Sequence, residues 1–189
     1  MILEEKIITL KSGKTCVLRS PKASDAEEML EYLKKTAVET NFLLRYPEEV
    51  IMTIEEERSF LDSIRENPRG LMICAFIDDK LAGTTNISGI GERYKISHRA
   101  TFGIAVLKEA WNLGIASALI NEILQFAKDR GFELVELEVA SPNHNAINLY
   151  KKFGFKIYGT RENGFKFKDG TYCDEHLMLK NIKSRIYEA

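Results

Sequence analysis

The chain has 189 residues, enough for one domain with a real core or at most two small ones. Hydrophobic residues make up 44% and charged residues 29%, an ordinary soluble composition, and a net charge of -1 provides no global field toward nucleic acid or an anionic membrane. Cys16, Cys74 and Cys173 are widely spaced with no Cys-x-x-Cys pair, and no apolar run nears the roughly 20 residues that span a bilayer. The first residues lack the basic-then-apolar order of a secretory signal. The expectation is a cytoplasmic protein with reduced thiols, no metal site, no nucleic-acid partner and no membrane partner.

Residues 7–10 and 15–19 read as strands around Lys11-Ser12-Gly13-Lys14, a hairpin signal. Ser24-Asp25-Ala26-Glu27 matches a capping box, and Met29, Leu30 and Leu33 follow at helical spacing, which predicts a helix over 25–35. Residues 38–46 fit neither period, and Pro47 ends them. Thr53-Ile54-Glu55-Glu56 is a second capping box, opening a helix that stops near Asn67-Pro68. The run Glu55-Glu56-Glu57 suits the first turn, where negative charge opposes the helix dipole.

Residues 71–77 form a nearly continuous apolar strand, Asp78-Asp79-Lys80 a turn, and residues 81–90 a second strand interrupted by Gly83 and Gly89. Residues 91–97 are polar loop. Residues 102–127 then read as the end of a strand begun at 99, a loop with one late glycine, and an amphipathic helix. The first N–H groups of a helix have no internal partner and sit at the positive end of its dipole, so a phosphate-bearing ligand is the expected occupant. Residues 134–139 are a strand with Val135, Leu137 and Val139 on one face. Glu136 and Glu138 fall on the other face and read as a solvated or cleft-facing strand edge. A short helix over 146–152 ends at Gly154, a strand starts at Phe155, and the turn Lys168-Asp169-Gly170-Thr171 leads into a last strand through 176–179. Early hairpins followed by alternating strands and helices imply one α/β domain with a mixed sheet.

Two segments carry a family resemblance. The first is Val106, seven residues, then Gly114-Ile115-Ala116-Ser117-Ala118-Leu119. The second is Asn143-His144-Asn145-Ala146-Ile147-Asn148-Leu149-Tyr150-Lys151-Lys152-Phe153-Gly154-Phe155. Together they resemble the acetyl-CoA-binding core of the GNAT superfamily of N-acetyltransferases, with its Gln/Arg-x-x-Gly-x-Gly/Ala loop and its Asn-x-x-Ala-x-x-Leu-Tyr-x-x-x-Gly-Phe segment. The second segment matches throughout. The first has Trp111 where Gln or Arg is usual, which removes a side-chain donor and leaves the backbone donors. The tail, Gly170-Thr171-Tyr172-Cys173-Asp174-Glu175-His176-Leu177-Met178, resembles the ending of several branches of that superfamily.

The resemblance implies a single GNAT-like domain over 1–189, with the acetyl-CoA core at about 97–155 and acceptor-side elements at about 24–68. Its sheet would be mixed and mostly antiparallel, flanked by helices and splayed between the strands at 99–107 and 133–140. The backbone of Ile104, Ala105 and Val106 would meet the pantetheine arm. The loop of Trp111, Asn112, Leu113, Gly114, Ile115, Ala116 and Ser117 would hold the pyrophosphate, and Asn143 would bind the cofactor arm. Tyr150 would be the general acid toward the departing sulfur. The implied activity is transfer of an acetyl group from acetyl-CoA to a small amine or a peptide N-terminus; a homodimer is compatible with it.

Each position also has a plainer reading. Asn143 is a preferred helix cap, Tyr150 at helical spacing fits a core, and Trp111 fits packing against the following helix. Phe42, Leu43, Leu44 and Tyr46 are candidates for an acceptor pocket or for core. Glu138, Glu92 and His98 stand as alternatives for the general base, beside a water chain. A nucleotide-binding oxidoreductase is disfavoured: the third small position of its fingerprint is Leu119, and seven residues separate Val106 from Gly114. No Walker A lysine follows a suitable glycine. A non-catalytic acyl-CoA sensor of the same fold remains the other reading.

Overall fold

The computed structural model describes residues 2–183. The expected domain, 1–189, extends beyond these at residue 1 and at residues 184–189. Eight strands are present: β1 (Lys6–Thr9), β2 (Thr15–Arg19), β3 (Gly70–Ile77), β4 (Lys80–Gly89), β5 (Arg99–Val106), β6 (Leu134–Ala140), β7 (Lys156–Lys166) and β8 (Tyr172–Asn181). They form one sheet in the order β1-β2-β3-β4-β5-β6-β8-β7. The helices are α1 (Ala26–Glu39), α2 (Ile54–Glu66), α3 (Ile115–Asp129) and α4 (His144–Lys152). β5 and β6 run parallel, while β1-β2, β2-β3, β3-β4, β6-β8 and β8-β7 are antiparallel. This is the expected mixed, mostly antiparallel α/β class. No described helix is long and apolar enough to cross a membrane.

The chain gathers into two compact units, residues 1–88 with 103–123 and residues 89–102 with 124–189. In the first unit, Ala26, Met29 and Tyr32 of α1 and Leu61 of α2 bury against Cys74, Phe76, Leu81 and Leu107. Cys16 and Cys74 are buried thiols, and burial pushes Cys16 up to about 11, so both behave as small hydrophobes. The β3–β4 turn places Asp78 and Asp79 at φ 50° and 61°, two left-handed residues in succession as a tight hairpin needs. The register slips between Ala75 and Phe76 opposite Gly83 and Leu81, a bulge where Gly83 interrupts the pattern.

Two sequence expectations change here. The capping box at Ser24 is not made. Asp25 instead turns back to accept the Lys22 N–H at 2.7 Å and to bind Arg19 with two hydrogen bonds of 2.7 and 2.9 Å. A largely buried guanidinium demands a carboxylate more strongly than a helix amide does. α1 runs four residues past Lys35, because Thr36 Oγ1 bonds the Tyr32 carbonyl and Ala37 is buried, so the last turn stays packed. The capping box at Thr53 does form, its hydroxyl accepting the Glu56 N–H while the Glu56 carboxylate accepts the Thr53 N–H. Glu55, Glu56 and Glu57 fall in the first turn as expected, and Glu57 is buried.

In the second unit, β6 pairs with β8 along its length, from Leu134↔Asn181 to Ala140↔Glu175. Glu136 and Glu138 therefore sit on an interior strand, not an edge. The parallel pairing of β5 with β6 covers Arg99↔Leu134, Ala100↔Val135 and Thr101↔Glu136, while β5 continues to Val106 and β6 to Ala140. Val135, Leu137 and Val139 bury as the alternation requires. β7 is longer than the apolar pattern shows, since its charged residues are held by pairing with β8 rather than by burial.

The Arg19–Asp25 pair gives a stability test. Burial works against the Asp25 carboxylate, but hydrogen bonds from Arg19 and the Lys22 amide, with the Arg19 charge, hold its pKa below the ordinary 3.8. A depressed folded pKa contributes stability above the unfolded value and loses it as pH falls through the folded one. Asp25→Ala should cost about 2 kcal/mol in urea unfolding at pH 7, and the difference from wild type should shrink below pH 4.

Candidate active site

The first unit contributes a strand held from one side. Thr85 Oγ1 donates to the Gly103 carbonyl at 2.8 Å, Tyr32 Oη to the Ala105 carbonyl at 2.7 Å, and Leu107 N–H to the Ala82 carbonyl at 2.9 Å. Backbone groups alternate sides along a strand, so these odd-numbered residues face β4 and its neighbours, while Ile104 and Val106 present theirs on the opposite side. Tyr32 is buried, accepts a hydrogen bond from Thr84 Oγ1 at 3.4 Å, and ties α1 to β5. Ala105, expected at the pantetheine arm, thus has its carbonyl already engaged.

Trp111 also departs from its expectation. Its indole Nε1 donates to the Val106 carbonyl at 2.7 Å, and 40% of the residue stays exposed. The side chain closes the loop onto the strand it has just left, and its one donor is spent there. The loop is further pinned by Lys11 N–H to the Leu113 carbonyl at 3.1 Å and by Lys108 N–H to the Glu39 carboxylate at 2.7 Å.

Beyond Trp111 the backbone opens. Asn112 and Gly114 take φ of 63° and 99°, and α3 begins at Ile115, its first internal bond running from Ala118 N–H to the Gly114 carbonyl. Among the described residues, the N–H groups of Asn112, Leu113, Gly114, Ile115, Ala116 and Ser117 have no acceptor. A Cβ built on Gly114 meets nothing within 4 Å, so glycine is required by its φ and the space above it is open. Six unpaired amides at the positive end of a 15-residue helix form a seat for an anion such as a pyrophosphate.

The second unit contributes Asn143 and Tyr150. Asn143 caps α4, its Oδ1 accepting the Ala146 N–H at 3.3 Å, which leaves the two donors of its amide nitrogen. Tyr150 is buried and packs edge-on against Phe102 at 5.8 Å and against Phe155 at 6.1 Å. Burial pushes its hydroxyl up to about 12, so it remains protonated at neutral pH. Gly154 at φ 84° ends α4 and turns Phe155 into this ring cluster.

The same unit holds a pocket of about 330 Å³ lined by Arg99, Thr101, Glu136, Glu138, Tyr158 and Arg161, with Ile90, Leu137 and Leu177. Arg99 grips Glu136 with two hydrogen bonds of 2.5 and 2.9 Å. Arg161 grips Glu138 with two, at 3.2 and 3.1 Å, and also contacts the buried Glu175. Of the sequence alternatives for the base, Glu138 lines this pocket. Glu92 is exposed in the loop, and the His98 carbonyl accepts the Glu133 and Leu134 amides. Phe42, Leu43 and Tyr46 are half-buried and Leu44 is exposed.

A model of the acetyltransferase (GNAT) family matches residues 28–155. The chain belongs to the GNAT acetyltransferase family. The L-amino acid N-acetyltransferase AaaT of Escherichia coli is 32% identical over 120 residues, which cover 63% of this GNAT chain and 73% of that protein. N-alpha-acetyltransferase 50 of Danio rerio is 36% identical over 73 residues, 38% of this chain and 42% of that one. A GNAT acetyltransferase from Streptococcus pneumoniae superposes with a TM-score of 0.83 at 30% identity, over 89% of this chain and 99% of that one. The yncA protein of Salmonella typhimurium, solved with its cofactor acetyl-CoA, superposes with a TM-score of 0.77 over 92% of this chain and 98% of that one. At 11% identity that likeness concerns the fold alone.

Sequence reading missed Tyr32 and Glu175 as site-shaping residues. Tyr32 falls three residues after Met29 on the apolar stripe and reads as core. Glu175 lies in the tail motif, and only the cross-strand register Arg161↔Glu175 reveals its partner. Gly114→Ala should lower stability by about 1–2 kcal/mol, measured by urea unfolding, because a side chain at φ 99° is strained although the space is free.

Proposed function

We propose that this chain transfers the acetyl group of acetyl-CoA to a primary amine by direct attack within a ternary complex. The observation that carries the reading is the run of unpaired amides from Asn112 to Ser117 following a strand whose Ile104 backbone is turned away from β4. The open amides suit the pyrophosphate, and the Ile104 backbone with the Val106 N–H, the Val106 carbonyl being held by Trp111, suits the amide groups of the pantetheine arm. Trp111 serves by fixing the loop, its N–H being committed to Val106. Asn143 offers its amide nitrogen to the arm while its oxygen caps α4. In this reading residues 97–155 are the cofactor core of a single domain and residues 24–68 its acceptor side.

The acceptor is a small amine or a peptide N-terminus, in keeping with relatives named for L-amino acids and for protein α-amines. Holding amine and thioester together is the largest contribution, about 7–11 kcal/mol where the geometry is near attack. Tyr150 donates to the leaving sulfur. Its raised pKa makes full proton transfer less favourable than from an ordinary phenol, so most of its effect is a strong hydrogen bond in a dry site as charge develops on sulfur. The proposed setting is the cytoplasm, where Cys16, Cys74 and Cys173 stay free thiols.

Calorimetry with acetyl-CoA at a few hundred micromolar should give saturable heat. A panel of amino acids, short peptides, polyamines and aminoglycosides should include acceptors that release free thiol. Absence of heat sinks the reading, and heat without thiol release from any amine favours a non-catalytic sensor. Tyr150→Phe should bind acetyl-CoA normally and lose roughly 10²-fold in kcat. Full turnover in that variant removes the acid role and leaves cofactor binding intact.

A further inference from the structure

Arg99, Arg161, Glu136 and Glu138 line the pocket of the second unit, and buried Glu175, outside the lining but in contact with Arg161, adds a third carboxylate to the two guanidiniums. Arg99 and Glu136 neutralise each other, which leaves Glu138 and Glu175 sharing Arg161 and one negative charge unmatched. Glu138 is exposed, whereas Glu175 is 3% exposed. An ammonium group entering the pocket completes this set.

β7 is shaped to make room for Glu175. Arg161 pairs with Glu175 and Phe165 with Cys173, so five residues of β7 lie opposite three of β8 and the strand bulges. Asn163 there takes φ 53°, and its N–H bonds the Asp174 carboxylate at 3.0 Å. A Cβ on Gly164 would come within 2.7 Å of the Glu175 Cβ and 3.3 Å of its Oε2, so only glycine lets the carboxylate lie there. Glu175 also pairs with Ala140, whose carbonyl accepts the Asn143 N–H at 2.9 Å. Ala140, the residue opposite the buried carboxylate, is three residues along the chain from Asn143, the position assigned to the cofactor arm.

We propose that this pocket receives the acceptor's ammonium group and that Glu175, paired with Glu138 around Arg161, is the general base of acetyl transfer. The assignment rests on the acetyl-CoA reading above. Glu175 takes one of the three ammonium protons. The freed lone pair forms the N–C bond to the acetyl carbon, the C–S bond breaks, and the sulfur takes the Tyr150 proton. The nitrogen releases its second surplus proton to solvent, from which Tyr150 is reprotonated while Glu175 gives up its own, so one proton is released per turnover.

Burial, then the Glu138 charge, pushes Glu175 above the ordinary carboxyl value of 4.5, opposed by Arg161. Its neighbours on β8 are otherwise engaged, Asp174 with the Asn163 amide and His176 Nδ1 with Thr160 Oγ1 at 3.0 Å. A base with a raised pKa is protonated, and inactive, at the acid end of the profile. Wild-type kcat/KM should therefore rise with pH through the Glu175 pKa and then stay level up to the pKa of the amine.

The test uses full-length protein and whichever panel amine turns over fastest. Glu175→Gln should keep acetyl-CoA binding by calorimetry, lose at least roughly 10²-fold in kcat, and replace the plateau by a unit slope up to the amine pKa. Glu138→Gln removes a like charge, so it should move the acid limb to lower pH. In NMR of carboxyl-labelled protein, the resonance missing in Glu175→Gln should titrate above 4.5. A Glu175→Gln variant with near wild-type kcat and an unchanged profile overturns the base assignment and leaves the acetyl-CoA reading standing. A wild-type protein that binds acetyl-CoA and acetylates no panel amine overturns the base assignment together with the transfer reading and leaves cofactor binding alone. Failure of wild type to bind acetyl-CoA removes both.

Discussion

The backbone of Gly103, Ile104, Ala105 and Val106 is anchored through alternate residues, and much of the first unit is arranged to provide that anchorage. Tyr32 reaches from α1 to the Ala105 carbonyl, and Thr85 reaches from β4 to Gly103. The close approach of β4 depends on Gly83, where a Cβ would lie 3.2 Å from Val106 Cγ2 and 3.3 Å from the Ala105 carbonyl. A buried tyrosine needs a partner for its hydroxyl, and a strand carbonyl without a ladder partner needs a donor. Each satisfies the other. The packing of α1 and the position of β5 are thereby one constraint, which fixes where the Ile104 backbone points.

The same logic governs the loop after β5. A long loop leading to an anion seat must be rigid, or ordering it would offset what its amides gain on binding. Rigidity here comes from groups outside the amide run: Trp111 on Val106, Lys11 on Leu113, and Glu39 on Lys108. This explains how tryptophan stands where the family usually has a polar side chain. A tryptophan spends its single donor inward on the fold, and an anion bound here would meet backbone N–H groups instead.

Features that depend on neighbouring residues were legible in the sequence. The Thr53 cap, the Asp78-Asp79 turn and the Asn143 cap follow from local chemistry. Features that depend on cross-strand partners were not. Asp25 looked like part of a capping box because nothing local reveals that Arg19 faces it across a chain reversal. The sequence marks only where β7 starts, because its outer residues are charged and a strand held by hydrogen bonds to β8 needs no apolar alternation. Glu136 and Glu138 looked like an edge because alternation reports which face a residue takes, not whether another strand lies alongside. Glu175 was visible as a motif residue, but its burial and its contact with Arg161 exist only in the register.

Tyr150 and Glu175 illustrate how one physical cause would prepare the opposite roles proposed for them. Burial disfavours the charged form of each, and so raises both pKa values. For a phenol that is neutral at pH 7 already, the shift secures a proton donor over the whole working range. For a carboxylate the same shift acts in the other sense, moving a group too weak to take a proton from ammonium toward one able to share it. Arg161 limits that movement, since without a cation beside it Glu175 would stay protonated and accept nothing. The pairing of a buried carboxylate with an arginine held by a second carboxylate therefore sets a compromise: basic enough to be useful, yet ionised when the amine arrives. The bulge at Gly164 gives the Glu175 carboxylate the space it occupies.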